Sequence, residues 1–163
     1  MPEIQLLRAD HATALCAFER DNRAYFAASV PDRGDGYFAE FEARHRALLA
    51  EQAAGHHYFH LVVGEDGEVL GRVNLVDVAG GEAELGFRIA SKAAGRGLAT
   101  DAVRRICVTA RGYGLRSLRA RAAVANEGSR AVLVRTGFAQ VGGVELDGAE
   151  GHLFRRSLGE PTA

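Results

Sequence analysis

Gly95-Arg96-Gly97-Leu98-Ala99-Thr100 marks the place where an extended segment gives way to a helix. Residues 84–89 before it have the pattern of a strand, and apolar residues after it recur at helical spacing, which predicts a helix over residues 97–111. The first N–H groups of such a helix lack intrahelical partners, and its dipole adds partial positive charge there. Two glycines would let a bulky anion approach the backbone, and Arg96 supplies a full charge. The stretch is therefore either a phosphate-binding turn or only a tight strand-to-helix connection.

The composition is that of one globular domain, and we expect residues 1–163 to form it, with 47% hydrophobic and 25% charged residues. The formal net charge of -1 argues against general attraction to nucleic acid or to anionic membranes. No apolar run approaches the length of a membrane span. The N-terminal segment lacks the pattern of a signal peptide, because charged residues interrupt it at Glu3 and Arg8. Cys16 and Cys107 lie among apolar residues and are expected to be free thiols, which fits a reducing cytoplasm.

The remaining segments alternate between helical and extended patterns. Asp10 is expected to cap a first helix that continues through Tyr25 and Phe26, and a second helix is expected over residues 37–53, after a loop at 29–36. A further helix over residues 126–135 is expected to end at Gly137. Strands are expected at residues 4–8, 58–63, 69–76, 83–89, 118–124, 138–141 and 152–157, with a hairpin loop over 142–151. This order predicts an α/β (α+β) fold in which helices flank a central, twisted, mixed but mainly antiparallel sheet.

Three short motifs occur together in this chain. Glu84-Leu85-Gly86 leads into the glycine turn, Asn126-Glu127-Gly128-Ser129 follows downstream, and Gly137-Phe138 comes after it. The combination resembles the GCN5-related N-acetyltransferase (GNAT) superfamily, and more closely its ribosomal-protein-alanine N-acetyltransferase subgroup. The resemblance extends over nearly the whole chain, is specific over residues 82–138 and is weaker in the first two helices.

The resemblance implies a single-domain GNAT fold and an acetyl-CoA-dependent N-acetyltransferase that needs no metal. Residues 95–100 would hold the pyrophosphate of acetyl-CoA, and main-chain groups of residues 87–89 would lie beside the pantetheine and the thioester. Asn126 would hydrogen-bond the pantetheine arm, and Ser129 would lie near the sulfur. The cofactor-binding residues implied in this way are Phe87, Arg88, Ile89, Gly95, Arg96, Gly97, Leu98, Ala99, Thr100, Asn126 and Ser129.

Two positions depart from the superfamily pattern. Ala94 stands where Gln or Arg usually begins the loop, which leaves backbone groups and Arg96 as the phosphate donors. Leu133 stands where many members carry a Tyr that protonates the departing thiolate. Ser129, a water molecule or direct release of the thiolate must then serve. The same replacement is familiar in the ribosomal-protein-like subgroup.

Glu84 is the preferred general base, acting through water, because it lies near the end of the strand beside the cofactor. The alternative is that Glu84 is only a surface carboxylate, and Glu82 on the same strand face is the second candidate base. Ser129 and Asn126 have a simpler alternative as well, because both residue types often cap helices.

Three histidines, His56, His57 and His60, raise the question of a metal. In an extended segment His57 points away from the other two, and no Cys or acidic set accompanies them, so loop or edge-strand histidines and no metal are expected. Four aromatic residues at helical spacing either line an acceptor pocket or belong to the core: Tyr25, Phe26, Phe38 and Phe41.

The acceptor is expected to be the α-amine of a peptide or protein N-terminus. An α-amine has a pKa near 8 and lysine one near 10.4, so the α-amine is neutral several hundredfold more often at neutral pH. The alternatives are a polyamine, amino acid or aminoglycoside as acceptor, or a non-catalytic acyl-CoA-binding regulator; a nucleotide-binding protein lacks its usual fingerprints here. Both a monomer and a homodimer are compatible with the sequence. Acids in the loop 29–36 and the hairpin 142–151 would attract a cationic terminus, namely Asp32, Asp35, Glu145, Asp147 and Glu150.

Overall fold

Seven strands form one sheet in the order β1-β2-β3-β4-β5-β7-β6 in the computed structural model, which describes residues 2–159. The strands are β1 (Glu3–Leu6), β2 (Tyr58–Val63), β3 (Val69–Ala79), β4 (Glu82–Ile89), β5 (Ser117–Ala123), β6 (Ala139–Leu146) and β7 (Ala149–Ser157). The helices are α1 (Ala12–Asp21), α2 (Arg23–Ala27), α3 (Asp35–Ala39), α4 (Phe41–Ala53), α5 (Leu98–Gly112) and α6 (Glu127–Arg135). β4 and β5 pair in parallel and the other neighbouring strands pair antiparallel, which confirms the predicted fold class.

A hydrophobic core lies on each face of the sheet because the strands alternate apolar side chains between the two faces. On one face Leu75 and Leu85 pack in a cluster with Ile106 of α5 and Leu133 of α6. On the other face the cluster is formed by α1, α2 and α4 against β2 and β3, and Leu15 is among its least exposed members. Burial of a side chain of this size stabilises the fold by about 1.5–3 kcal/mol. Within the described residues no helix is both long and apolar enough to cross a lipid bilayer.

The first two predicted helices are each divided in the structure. Asn22 separates α1 from α2, and its side chain accepts a hydrogen bond from the distant Ser91 N–H at 2.9 Å. Glu40 separates α3 from α4. Asp10 does not cap the first helix as predicted, because its carboxylate pairs with Arg8 at 3.0 Å. Cys16 and Cys107 are free thiols, as expected.

The predicted loop over residues 142–151 is mostly strand. β6 and β7 continue to a two-residue turn at Asp147 and Gly148, whose φ angles are 50° and 81°. Positive φ at both central residues is the conformation of a type I′ turn, which suits the twist of a tight hairpin. The hairpin itself was predicted, but its strands are longer than expected because glycines and acids within an edge hairpin have the composition of a loop.

A gap opens in the sheet between β4 and β5. The two strands pair only from Glu82 opposite Ser117 to Leu85 opposite Ala120. Beyond that point β4 continues beside β3, while β5 continues beside β7. The strands therefore separate, and β4 presents an unpaired edge in the middle of the sheet.

Candidate active site

A cavity of about 530 Å³ lies at the gap between β4 and β5. One wall is the end of β4, and a second is the turn before α5 with the first residues of that helix. α6 forms a third wall, and α2 with the following loop forms the fourth. Its lining residues are Tyr25, Phe26, Ala28, Ser29, Val30, Phe87, Arg88, Ile89, Ala93, Ala94, Gly95, Gly97, Leu98, Ala99, Thr100, Asn126, Gly128, Ser129, Val132 and Arg135.

The backbone of β4 offers hydrogen-bonding groups to this cavity. Ala90 N–H donates to Leu70 O of β3 at 2.8 Å. Because main-chain groups alternate in direction along a strand, those of Arg88 also point to β3, and those of Phe87 and Ile89 point into the gap. An extended ligand could pair with them as an added strand would. Arg88 instead contributes its side chain to the cavity.

The N-terminus of α5 faces the same cavity. Gly97 precedes the helix with a φ of 76°, in the left-handed region that favours glycine, and its carbonyl accepts the first helical hydrogen bond from Asp101 N–H at 3.0 Å. The N–H groups of Leu98, Ala99 and Thr100 therefore have no partner inside the helix. These donors and the helix dipole suit an anion such as a pyrophosphate.

Asn126 and Ser129 lie at the start of α6. The Asn126 side-chain oxygen accepts a hydrogen bond from Ser129 N–H at 3.2 Å, so Asn126 does cap the helix. It also lines the cavity, and its amide nitrogen has no protein partner within the described residues. The Ser129 hydroxyl takes no part in the cap. One residue can thus serve both as a cap and as a ligand-binding group.

Three further positions near the cavity differ in whether their side chains line it. Arg96 is exposed and is not part of the cavity wall, whereas Arg135 at the end of α6 is. Sequence reasoning missed Arg135, since nothing local distinguishes it from other surface arginines. Leu133 is fully buried in the core rather than facing the cavity. Its position in the motif therefore does not place a side chain beside the ligand.

Glu84 and Glu82 lie outside the cavity wall, on the outward face of β4. Glu84 pairs with Arg121 at 2.9 Å and with Arg119 at 3.7 Å. Hydrogen bonds from Ser117 and Arg119, with the nearby Arg155, hold the pKa of Glu82 below its usual range. Phe87 follows Glu84 by three positions, about 10 Å along the strand, so a proton would have to pass through water.

Gly86 lies between Glu84 and Arg88 on that same face. It is exposed, and a Cβ placed on it would meet no atom within 4 Å. The face of β4 is therefore open between the carboxylate of Glu84 and the guanidinium of Arg88.

The acids predicted to attract a cationic acceptor are not part of the cavity wall. Arg23 pairs with Asp32 at 2.8 Å and with Asp35 at 2.9 Å. Glu145 and Glu150 are opposite each other in the β6–β7 hairpin and share the sheet face of the buried Phe154, on the other side from Glu84; Asp147 lies in the turn.

Arginines surround a single carboxylate on the side of the cavity that faces α1. Glu19 of α1 has only 1% of its side chain exposed and binds Arg72 at 2.7 Å, Arg33 at 3.0 Å and Arg88 at 3.0 Å. Burial alone raises the pKa of Glu19, but the three guanidinium groups outweigh it and leave that pKa lowered. The Arg88 guanidinium also stacks on Phe26, 4.6 Å from the ring centroid. Sequence reasoning missed this cluster because its members are far apart in the chain.

The histidines do not form a metal site in the described part of the chain. His60 was expected at an edge or in a loop, but it is buried in β2, between β1 and β3. Its Nε2 is 2.7 Å from the Tyr113 hydroxyl, and its Nδ1 is 3.2 Å from Val73 O. Burial lowers the pKa of His60 to about 4, so it is neutral at physiological pH.

The aromatic residues divide between the two alternatives. Tyr25 and Phe26 line the cavity, and Tyr25 is also 48% exposed at its mouth. Phe41 belongs to the core, and Phe38 packs beneath the guanidinium groups of two arginines.

Comparison with known proteins places these features in context. Residues 3–139 match the family model described as an acetyltransferase (GNAT) domain. No curated protein matches the sequence significantly. The ribosomal-protein-S5-alanine acetyltransferase of Vibrio fischeri has a TM-score of 0.90 at 19% identity, with 99% of this chain and 96% of that chain covered.

Two further solved structures have the same fold. Mycobacterium smegmatis RimJ, in complex with CoA-disulfide, has a TM-score of 0.83 at 23% identity, covering 94% of this chain and 80% of that chain. A SpeG spermidine N-acetyltransferase mutant from Vibrio cholerae has a TM-score of 0.76 at 13% identity, covering 96% of this chain and 95% of that chain.

Proposed function

The chain belongs to the GNAT acetyltransferase family, and we propose from this premise that it acetylates the α-amine of a peptide or protein N-terminus with acetyl-CoA. Membership confirms the N-acetyltransferase class predicted from sequence. The observation that carries the proposal is a single cavity that joins the unpaired edge of β4, the free N-terminus of α5 and the polar start of α6.

The groups that line the cavity support acetyl-CoA as its ligand. The N–H groups of Leu98, Ala99 and Thr100 would bind the pyrophosphate, and Gly95 and Gly97 would let it approach. The main-chain groups of residues 87 and 89 would pair with the amides of the pantetheine arm. Arg135, on the cavity wall, adds a positive charge. Asn126 would donate from its free amide nitrogen, as the family resemblance also implies.

The transfer itself needs no covalent enzyme intermediate. The neutral amine attacks the thioester carbonyl carbon, the C–N bond forms, the C–S bond breaks, and the amine proton leaves to solvent. Ser129 is the proposed donor of the proton that the departing sulfur takes up, and it would regain a proton from water; its hydroxyl is not used in the helix cap. Glu84 is the proposed base through water across the open face at Gly86, with its two arginine partners limiting its basicity.

A peptide is favoured over a compact amine because the acceptor side is open. Gly86 is exposed between Glu84 and Arg88, and Arg121 beside it is exposed as well. An extended chain can lie along this face, whereas a polycation would meet Arg33, Arg72 and Arg88 with only one carboxylate among them. Charge therefore disfavours a polyamine.

The test compares two forms of one short peptide in an assay of free CoA release. One form has a free N-terminus and no lysine, and the other is blocked at the N-terminus and carries an internal lysine. We expect acetylation of the free form alone, confirmed by mass spectrometry. Reaction of only the blocked peptide, or of neither while spermidine or an aminoglycoside reacts, would overturn the proposed acceptor. A Gly86→Val variant should lose peptide turnover and keep its affinity for acetyl-CoA.

A further inference from the structure

The acceptor side of the cavity carries more positive charge than its own carboxylates neutralise. Glu19 is shared by three guanidinium groups: Glu19 Oε1 accepts from Arg33 and Arg88, both at 3.0 Å, and Glu19 Oε2 accepts from Arg72 at 2.7 Å. The Nε of Arg72 is buried without a hydrogen-bond partner. Buried charges are ordinarily paired, because desolvating an unpaired one is costly.

Arg88 is the member of this cluster that reaches the ligand cavity. Its side chain is 22% exposed, and only its Nη1 is used, in the bond to Glu19. Phe26 holds the guanidinium plane by stacking, and Phe26 lines the same cavity. The remaining N–H groups of Arg88 are therefore free to donate to a ligand, within the described residues.

The surroundings of Arg88 favour an anion. Burial, together with the neighbouring Arg33 and Arg72, lowers the pKa of the Arg88 guanidinium despite its bond to Glu19. On the same face, past Gly86, Glu84 is already held by Arg119 and Arg121. The path of an acceptor over β4 is thus bordered by arginines at both ends.

We infer that Arg88 binds a carboxylate of the acceptor, and that the preferred acceptor is a peptide whose second residue is acidic. This rests on the proposed function, since it specifies the acceptor of the same site. A planar guanidinium with free N–H groups matches the geometry of a carboxylate. A carboxylate on the ligand would offset positive charge of the arginine cluster that Glu19 alone does not neutralise. Arg88 is then a specificity-determining residue, next to a thioester placed beside Phe87 and Ile89.

The experiment measures kcat/KM for two peptides that differ only at the second residue, Ala-Asp and Ala-Asn with identical remainders. The wild-type protein should favour the Asp peptide by about 10- to 100-fold, the usual worth of a charge-assisted hydrogen bond. Arg88→Gln should bring the ratio close to one, and Arg88→Lys should retain part of it. Arg46→Gln, an exposed change of the same charge on α4, should keep the wild-type ratio.

The outcomes separate this inference from the proposed function. Equal rates on both peptides in the wild type, or a preference that persists in folded Arg88→Gln, would overturn the role of Arg88 and leave the N-terminal acceptor standing. Free alanine and alanine amide test the other source of a carboxylate. Reaction of alanine but not of its amide, abolished by Arg88→Gln and without reaction of either peptide, would support carboxylate binding and overturn the peptide acceptor. Reaction of none of these amines would overturn the proposed function itself.

Discussion

Replacing Glu19 with Gln should destabilise the protein by about 3–5 kcal/mol, the usual cost of removing one partner from a buried ion pair. Glu19 is the shared acceptor for Arg72, Arg33 and Arg88, and 1% of its side chain is exposed. Gln has nearly the same shape and keeps one acceptor oxygen, so the loss comes from three guanidinium groups left without a counter-charge. For a protein of this length the change corresponds to a fall in Tm of about 6–20 °C.

The matched control is Glu40→Gln. Glu40 and Arg44 form an exposed pair on neighbouring helical turns at 3.7 Å, and such pairs contribute less than about 1 kcal/mol. Urea unfolding and thermal scans on both variants measure the difference. A Glu19→Gln variant no less stable than Glu40→Gln would refute the reasoning, because it would mean that the buried carboxylate contributes nothing net.

The pH dependence provides a second check with a definite sign. The pKa of Glu19 is lowered in the folded protein, since the guanidinium groups outweigh burial. A lowered carboxyl pKa contributes stability above the unfolded pKa, near 4.3, and that stability is lost as pH falls through the folded value. The gap in Tm between wild type and Glu19→Gln should therefore be full at pH 7 and narrow below about pH 4. A gap that does not narrow in acid would contradict the assignment of the effect to charge.

The other predictions concern the cavity and one buried histidine. Gly97→Val should weaken acetyl-CoA binding at least about tenfold by titration calorimetry, because a φ of 76° strains a β-branched residue at the turn. The domain should stay folded, because no protein atom lies within 4 Å of the new Cβ. Ser129→Ala should lower kcat about 10- to 100-fold with acetyl-CoA affinity unchanged; equal kcat would assign sulfur protonation to water. Gly86→Val should raise the peptide KM and spare acetyl-CoA affinity; the opposite pattern would remove the acceptor from this face. His60, with a pKa lowered by burial to about 4, should make the protein lose about 3 kcal/mol of stability as pH falls from 6.5 to 4, and His60→Gln should flatten that slope.

What the sequence predicted well is local. The β2–β4 meander and α5 follow from alternation, turn residues and helical periodicity, each of which is complete within a few residues. The glycine turn is of the same kind, because a left-handed residue before a helix is a demand on Gly97 itself. These elements form the cavity wall at which the sequence predicts cofactor binding.

What the sequence could not predict depends on contacts between distant residues. The helix break at Asn22 is stabilised by the N–H of Ser91, which belongs to a different part of the chain. Leu133 occupies the position where many family members carry a Tyr, and the spacing alone does not reveal that its side chain turns into the core. Asp32 was expected to attract a cationic acceptor, but it pairs with Arg23 of this chain. Contacts between residues that are distant in the chain leave no periodic pattern in the sequence.

The main chain and the side chains of β4 explain why the sequence predicts one part of the cavity, at the glycine turn, and not the other, around Arg88. Phe87 and Ile89 turn their main-chain groups into the gap. Any residue type can do this, so the signal in the sequence is the glycine turn that follows the strand. The side chain of Arg88, which lies between them, points to the sheet face that carries α1. There it is surrounded by residues of α1, β3 and the loop before α3. Cofactor binding can therefore persist in the backbone while acceptor choice changes with a few side chains. In this protein we therefore expect the charges that face Arg88, rather than the glycine turn, to determine which acceptor is chosen.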